Sequence, residues 1–181
     1  MGGEVYHIVD HMKLDYKGIF DVNSMFRMFT KWYRDMPYEK GGDYISEYNT
    51  SHGKCMEYCY FPWLKDTDYI RKYMKIRILM YDVKKADIMV DGQKRRMDQG
   101  TFQLVLDGFI EFDYEHRWGG TPMLQFLRTV YFKYFYKRYT RQSEKVIIDE
   151  CHQLYELFER FFNMYKSYKE VKEMPHWFFE K

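Results

Sequence analysis

The sequence predicts an α+β domain, on three observations. Apolar and polar residues alternate over Ile70–Met80 and again over Phe102–Tyr114, the signature of half-buried strands. After Trp118-Gly119-Gly120 the apolar period changes to steps of three and four, which is helical. The element order completes the argument: strand, short helix, several antiparallel strands, one long last strand, then a short helix and a long C-terminal helix.

The chain of 181 residues is read as one domain over 1–168 with a tail over 169–181. Apolar residues at 46% and charged residues at 31% supply a packed core and exclude wholesale disorder. A net charge of +2 marks neither an obvious nucleic-acid binder nor a membrane binder. Tyr 19, Phe 15 and Met 13 stand against the single alanine, Ala86. Large side chains then fill the interior, or part of that bulk forms an adhesive surface. Three cysteines, Cys55, Cys59 and Cys151, are too few for a disulfide framework and point to a reducing compartment. With no apolar leader run and no stretch long enough to span a bilayer, the expectation is a soluble cytoplasmic protein without a transmembrane segment.

Each element has its own signal. Ile8, Met12, Leu14 and Tyr16 share a face over about residues 5–16, with Asp10 the exception. Asp21, Asn23 and Ser24 are N-cap candidates for a helix carrying Met25, Phe29, Trp32 and Met36, and Pro37 stops it. Tyr44–Asn49 alternates weakly, Asn49–Gly53 is a turn cluster, and a second strand follows over about 54–62. Ile70, Met74, Ile76, Ile78 and Met80 line a further strand, with Arg71, Lys75 and Arg77 opposite. Ala86, Ile88 and Val90 form another short one, ended by Asp91-Gly92. The even-numbered phase from Phe102 to Tyr114 passes through Gly108 unbroken, giving one strand of about 14 residues bent there rather than a hairpin. Its other face, Asp107, Glu111, Asp113 and Glu115, reads as a solvated acidic surface that pairs with the basic face of 71–77. Thr121-Pro122 starts a helix with a Leu124, Leu127, Tyr131, Tyr134 stripe. A second stripe, Ile147, Cys151, Leu154, Phe158, Phe161 and Tyr165, has a different phase, so a break is expected near Thr140–Ser143 with Ser143 as N-cap.

This order, together with Asp113-Tyr114-Glu115, Trp118, Pro122, Phe126-Leu127-Arg128 and the helix from Ser143, resembles the START-like (SRPBCC) helix-grip superfamily. The C-terminal half is also similar to that of small archaeal proteins. The resemblance covers about residues 5–168. It implies a curved antiparallel sheet wrapping the long C-terminal helix, with 37–43 holding a remnant of a second small helix. It also implies a cavity for a hydrophobic small molecule, lined by Ile110, Phe112, Tyr114, Leu154, Phe158 and Phe161. Tyr44, Tyr48 or Tyr114 would orient a polar group of that ligand. The alternative is that these bulky side chains simply fill the space.

Chemistry is sparse. His7 with His11, and Cys55 with Cys59, are four residues apart on strands, about 13 Å, too far for one metal ion. No phosphate loop, nucleophile elbow, zinc-protease or kinase motif is present, so no catalytic residue, metal or cofactor is assigned. Lone His116 and His152 are more often structural than general bases. The segment Tyr131–Arg141 interleaves aromatics with Lys133, Lys137, Arg138 and Arg141, with Arg128 one turn upstream, and Lys94-Arg95-Arg96 adds a small basic spot. Such a surface suits RNA or a membrane interface, or is the solvated side of an amphipathic helix whose aromatic face is buried. Three functional readings follow: a non-enzymatic binding protein with an apolar pocket, an RNA- or ribosome-associated protein using 128–141, and a cyclase- or hydrolase-like helix-grip enzyme.

Overall fold

A computed structural model describes residues 4–67, 70–90, 93–112 and 137–166. The chain is α+β, with a large antiparallel sheet and two helices among these residues. The strands are β1 (Glu4–Phe20), β2 (Tyr44–Thr50), β3 (Gly53–Tyr60), β4 (Trp63–Lys65), β5 (Ile70–Val90) and β6 (Gln93–Phe112); the helices are α1 (Val22–Asp35) and α2 (Lys137–Asn163). The order across the sheet is β1-β6-β5-β3-β2, and the sheet is not closed. β3 and β4 form one interrupted row along β5: Tyr60 lies opposite Ile76 and Trp63 opposite Tyr73. Between them Pro62, which has no N–H to give, still accepts from Met74 N through its carbonyl at 3.0 Å.

β5 and β6 pair from Ile70↔Phe112 to Val90↔Gln93. The expected charge pairing holds at Arg71, which binds Glu111 directly opposite. The two strands expected over 70–80 and 86–90 are one. A bulge between Tyr81 and Lys84, with Asp82 in the left-handed region at φ 54°, absorbs one extra residue without ending the ladder. The bulge also moves the apolar phase to the other face. Ala86 and Ile88 are buried there with Ile19 and Val105, away from the main core.

β1 is longer than its alternation indicates and carries two irregularities, between His7 and Val9 and between Val9 and Met12. Each inserts one residue. Two insertions restore the original phase, so Met12, Leu14 and Tyr16 lie opposite Leu106, Leu104 and Phe102 while Val9 is the buried residue in between. Asp10, the exception in the pattern, is bulged out of the ladder.

α1 begins at Asp21, whose Oδ1 accepts from Asn23 N at 3.0 Å and whose Oδ2 accepts from Ser24 Oγ. It ends at Met36, held extended by the following Pro37. Met25, Phe29 and Tyr33 form its buried face. Residues 37–43 contain no helical remnant; Glu39 instead bridges to Trp63 through two backbone hydrogen bonds of 2.8 and 2.9 Å.

α2 runs without interruption through 140–143, for 27 residues or about 40 Å. The expected break and N-cap at Ser143 are absent. Ser143 is a buried interior residue whose hydroxyl donates to Asp66 Oδ2 at 2.5 Å. The helix expected from Thr121-Pro122, with its stripe Leu124 to Tyr134, lies outside the described residues; the buried face of α2 is Ile147, Cys151, Leu154, Phe158, Phe161 and Phe162. That face lies on β1 and β6 and touches β5 and α1. At Gly108 a Cβ would come within 2.5 Å of Ile147 Cγ2, so the glycine expected to bend β6 also leaves room for Ile147 of the helix. No helix among the described residues is long and apolar enough to cross a membrane.

Candidate anion-binding groove

The pattern that buries Met25, Phe29 and Tyr33 puts Arg27, Lys31 and Arg34 on the opposite side of α1, at steps of four and three. All three are exposed, as are Asn23 and Thr30, and none forms an ion pair with a described residue. From Arg27 to Arg34, seven steps along the helix, their axial span is about 10 Å. Together with half-buried Phe26, these residues line an open groove of about 550 Å³. Phe26 is fixed from below by Tyr58 of β3, edge to face at 4.6 Å. Tyr58 in turn donates to Glu47. A row of exposed cations without an ion pair among the described residues, beside a fixed ring edge, is suited to a polyanion. The sequence reading missed this row, although the i, i+4, i+7 cation spacing on a predicted amphipathic helix was available to it.

The residues expected to bind a ligand fall into separate places. Ile110, Phe112, Leu154, Phe158 and Phe161 come together in the core under α2, each at most 5% exposed. Phe158 stacks on Phe102 at 5.3 Å and lies 6.3 Å from Phe162. Tyr44 and Tyr48 do not join them. They lie opposite Cys59 and Cys55 on the face turned away from the helices and are more than half exposed. A two-residue period allows no other face once Met56 and Tyr58 point to the core. Tyr114, Arg128 and Lys133 lie outside the described residues; Lys137 and Arg138 open α2, and Arg141 is exposed on it.

Asp107 is a second correction. It is not solvated but 3% exposed. It accepts from His11 N at 2.9 Å and from Arg77 Nη2 at 3.2 Å, which fastens the bulge where His11 takes φ 49°. His11 Nδ1 also contacts Asp10 Oδ1 at 2.5 Å, and this hydrogen bond holds the Asp10 carboxyl below its ordinary value. Asp10, His11 and Asp107 bring potential ligand atoms within 4.8 Å of one another, a grouping that contains neither His7 nor the cysteines. Arg77 already supplies a counter-charge to its buried member.

A buried polar cluster lies between α2 and the sheet. Lys72, on the core face between Ile70 and Met74, pairs with Asp66 at 3.1 Å, and Ser143 donates to the same carboxylate. Beside it Tyr38 Oη donates to Glu150 Oε2 at 2.5 Å. Burial pushes the Tyr38 hydroxyl and the Glu150 carboxyl above their ordinary values and the Cys151 thiol up to about 12. A carboxyl raised in the folded state costs nothing below its unfolded value, and destabilises as pH rises through its folded value. Glu150→Gln, which keeps an acceptor for Tyr38, is therefore expected to raise the urea midpoint at neutral pH. That gain shrinks as pH falls toward 4.5, the ordinary value; a gain independent of pH would contradict this account.

No family model matches the chain, and no curated protein or solved structure is significantly similar to it.

Proposed function

We propose that this is a non-enzymatic binding protein that takes the phosphodiester backbone of single-stranded RNA along the outer face of α1. The observation that carries the reading is the row of three exposed cations, Arg27, Lys31 and Arg34, on one groove, none of them paired with a described residue. Cations left unpaired on a folded surface gain most from a partner that brings several negative charges at once and releases its own counterions. Phe26 adds an apolar edge against which a base can rest. The reading moves the basic surface from 128–141 to the first helix. An anionic bilayer is the weaker fit: the apolar face of α1 is already buried in the core and has nothing to insert. In the same reading the sheet is helix-grip-like, its core face cupped around α2.

Fluorescence anisotropy with a labelled single-stranded RNA at low salt tests it. Neutralising three phosphates predicts a slope of log affinity on log salt of about −2, at about −0.7 per contact. Arg27→Ala, Lys31→Ala and Arg34→Ala are each expected to reduce that slope by about 0.7, and the triple Glu variant to abolish binding. An unchanged affinity in the triple variant, or binding to phosphatidylserine vesicles but not RNA, overturns the proposal.

A further inference from the structure

Among the described residues the sheet is open, with β1 and β2 at its edges, and an open edge offers unpaired backbone groups to another strand. This sequence treats its two edges differently. β1 carries two bulges and exposes Lys13 and Lys17, devices that keep an edge from pairing. β2 has neither. Its register with β3 runs unbroken from Tyr44↔Cys59 to Thr50↔Gly53, and it contains no Lys and no Pro. Tyr44, Ile45 and Tyr48 are 55, 58 and 53% exposed. Its one charge, Glu47, is matched within the chain by Lys54 Nζ at 2.5 Å and by the Tyr58 hydroxyl.

The composition of this strand also says what fits it. Tyr44-Ile45-Ser46-Glu47-Tyr48 has Tyr at both ends and Ser at its centre. When two copies run antiparallel about Ser46, Tyr44 stands opposite Tyr48 of the second copy, Ser46 opposite itself, and Ile45 opposite the stem of Glu47. Directly opposed residues in an antiparallel pair share a face. Both tyrosine pairs therefore fall on the face away from the helices, and both copies keep their helices on the other side. We propose that β2 is a dimerisation edge, through which two copies of this chain join into one continuous sheet with a two-fold axis at Ser46. This proposal does not depend on RNA binding and fails separately from it.

Cysteines introduced in a Cys55→Ala, Cys59→Ala background read the register, since these two native thiols lie directly opposite Tyr48 and Tyr44 within the same chain and Cys151 is buried. Under mild oxidation Ser46→Cys is expected to give a covalent dimer. Tyr44→Cys and Tyr48→Cys alone are expected to give none, because each lies four residues, about 13 Å along the strand, from its own copy. A mixture of those two variants is expected to cross-link. Sedimentation of the unmodified chain is expected to show a concentration-dependent dimer. Ile45→Glu is expected to weaken it at least about tenfold by placing a like charge opposite Glu47 of the second copy while the far-UV spectrum stays unchanged. A monomer at every concentration, equal cross-linking at 44 and 46, or a dimer indifferent to Ile45→Glu overturns the proposal.

Discussion

Phe158→Ala is expected to destabilise the protein by about 3–5 kcal/mol, the range for deleting a fully buried aromatic ring. Phe158 is 0% exposed and sits where three elements meet. Its ring stacks on Phe102 of β6 at 5.3 Å, lies 6.2 Å from Phe29 of α1, and faces Phe162 on its own helix at 6.3 Å. Truncation exposes no surface to water directly. It removes the partner atoms of three rings, and aromatic rings are too rigid to collapse into the space. With about 2–4 °C lost per kcal/mol in a chain of this size, the thermal midpoint falls by about 6–20 °C. Phe158→Leu refills most of the volume and is expected to cost about a third as much. Phe102→Ala combined with Phe158→Ala is expected to cost less than the two separately, because both lose the same stacked contact. A loss below about 1 kcal/mol for Phe158→Ala, measured by urea denaturation, would mean that α1, α2 and β6 do not share this ring.

The strands were legible where phase is decisive and misleading where it is not. One inserted residue at Tyr81–Lys84 moved Ala86 and Ile88 to the other face while the apolar positions stayed even-numbered, so phase did not show it, and the interrupted alternation over 81–85 made one strand look like two. Two insertions around Val9 cancelled, so β1 looked regular, and the sole trace was a charged Asp10 in an apolar series. At Gly108 the phase reading held, and β6 passes through a dipeptide that elsewhere makes a hairpin. The supposed helix break failed for a different reason. Two apolar stripes of different phase read as two helices with Ser143 capping the second, whereas Ser143 lies inside α2, buried against a specific acceptor 77 residues away. No local pattern records that partner.

The candidate site shows the same division. Burial on α1 fixed which cations face outward, and a heptad-like count of Arg27, Lys31 and Arg34 would have found them. Asp107 was not legible. Its phase put it correctly on the face away from the core, but that face was assumed to be wet. Val105 beside it is 5% exposed, so a carboxylate there needs the Arg77 guanidinium and the His11 amide. Alternation assigns a side of a sheet; it does not say how well that side is covered.

Asp66→Ala is expected to cost about 3 kcal/mol, near the low end for breaking a buried ion pair because the aspartate itself is 30% exposed. The carboxylate carries two separate groups. Lys72 Nζ, on a side chain 5% exposed between Ile70 and Met74, has its charge compensated there. Ser143 uses the other oxygen to fasten α2 to the turn between β4 and β5. The turn itself is closed by Asp66 N and Thr67 N on Ile70 O, so the backbone survives the loss and the cost falls on the stranded lysine and hydroxyl. Lys72→Met places an apolar chain of similar length among apolar neighbours and removes the charge that needs compensation. The double variant is therefore expected to recover most of the stability lost by Asp66→Ala, a coupling of at least about 1 kcal/mol in a double-mutant cycle. Chemical denaturation of the four proteins decides the matter. If the two substitutions simply add, Asp66 is not what holds Lys72 in the interior, and the docking of α2 on this corner of the sheet rests on its apolar face alone.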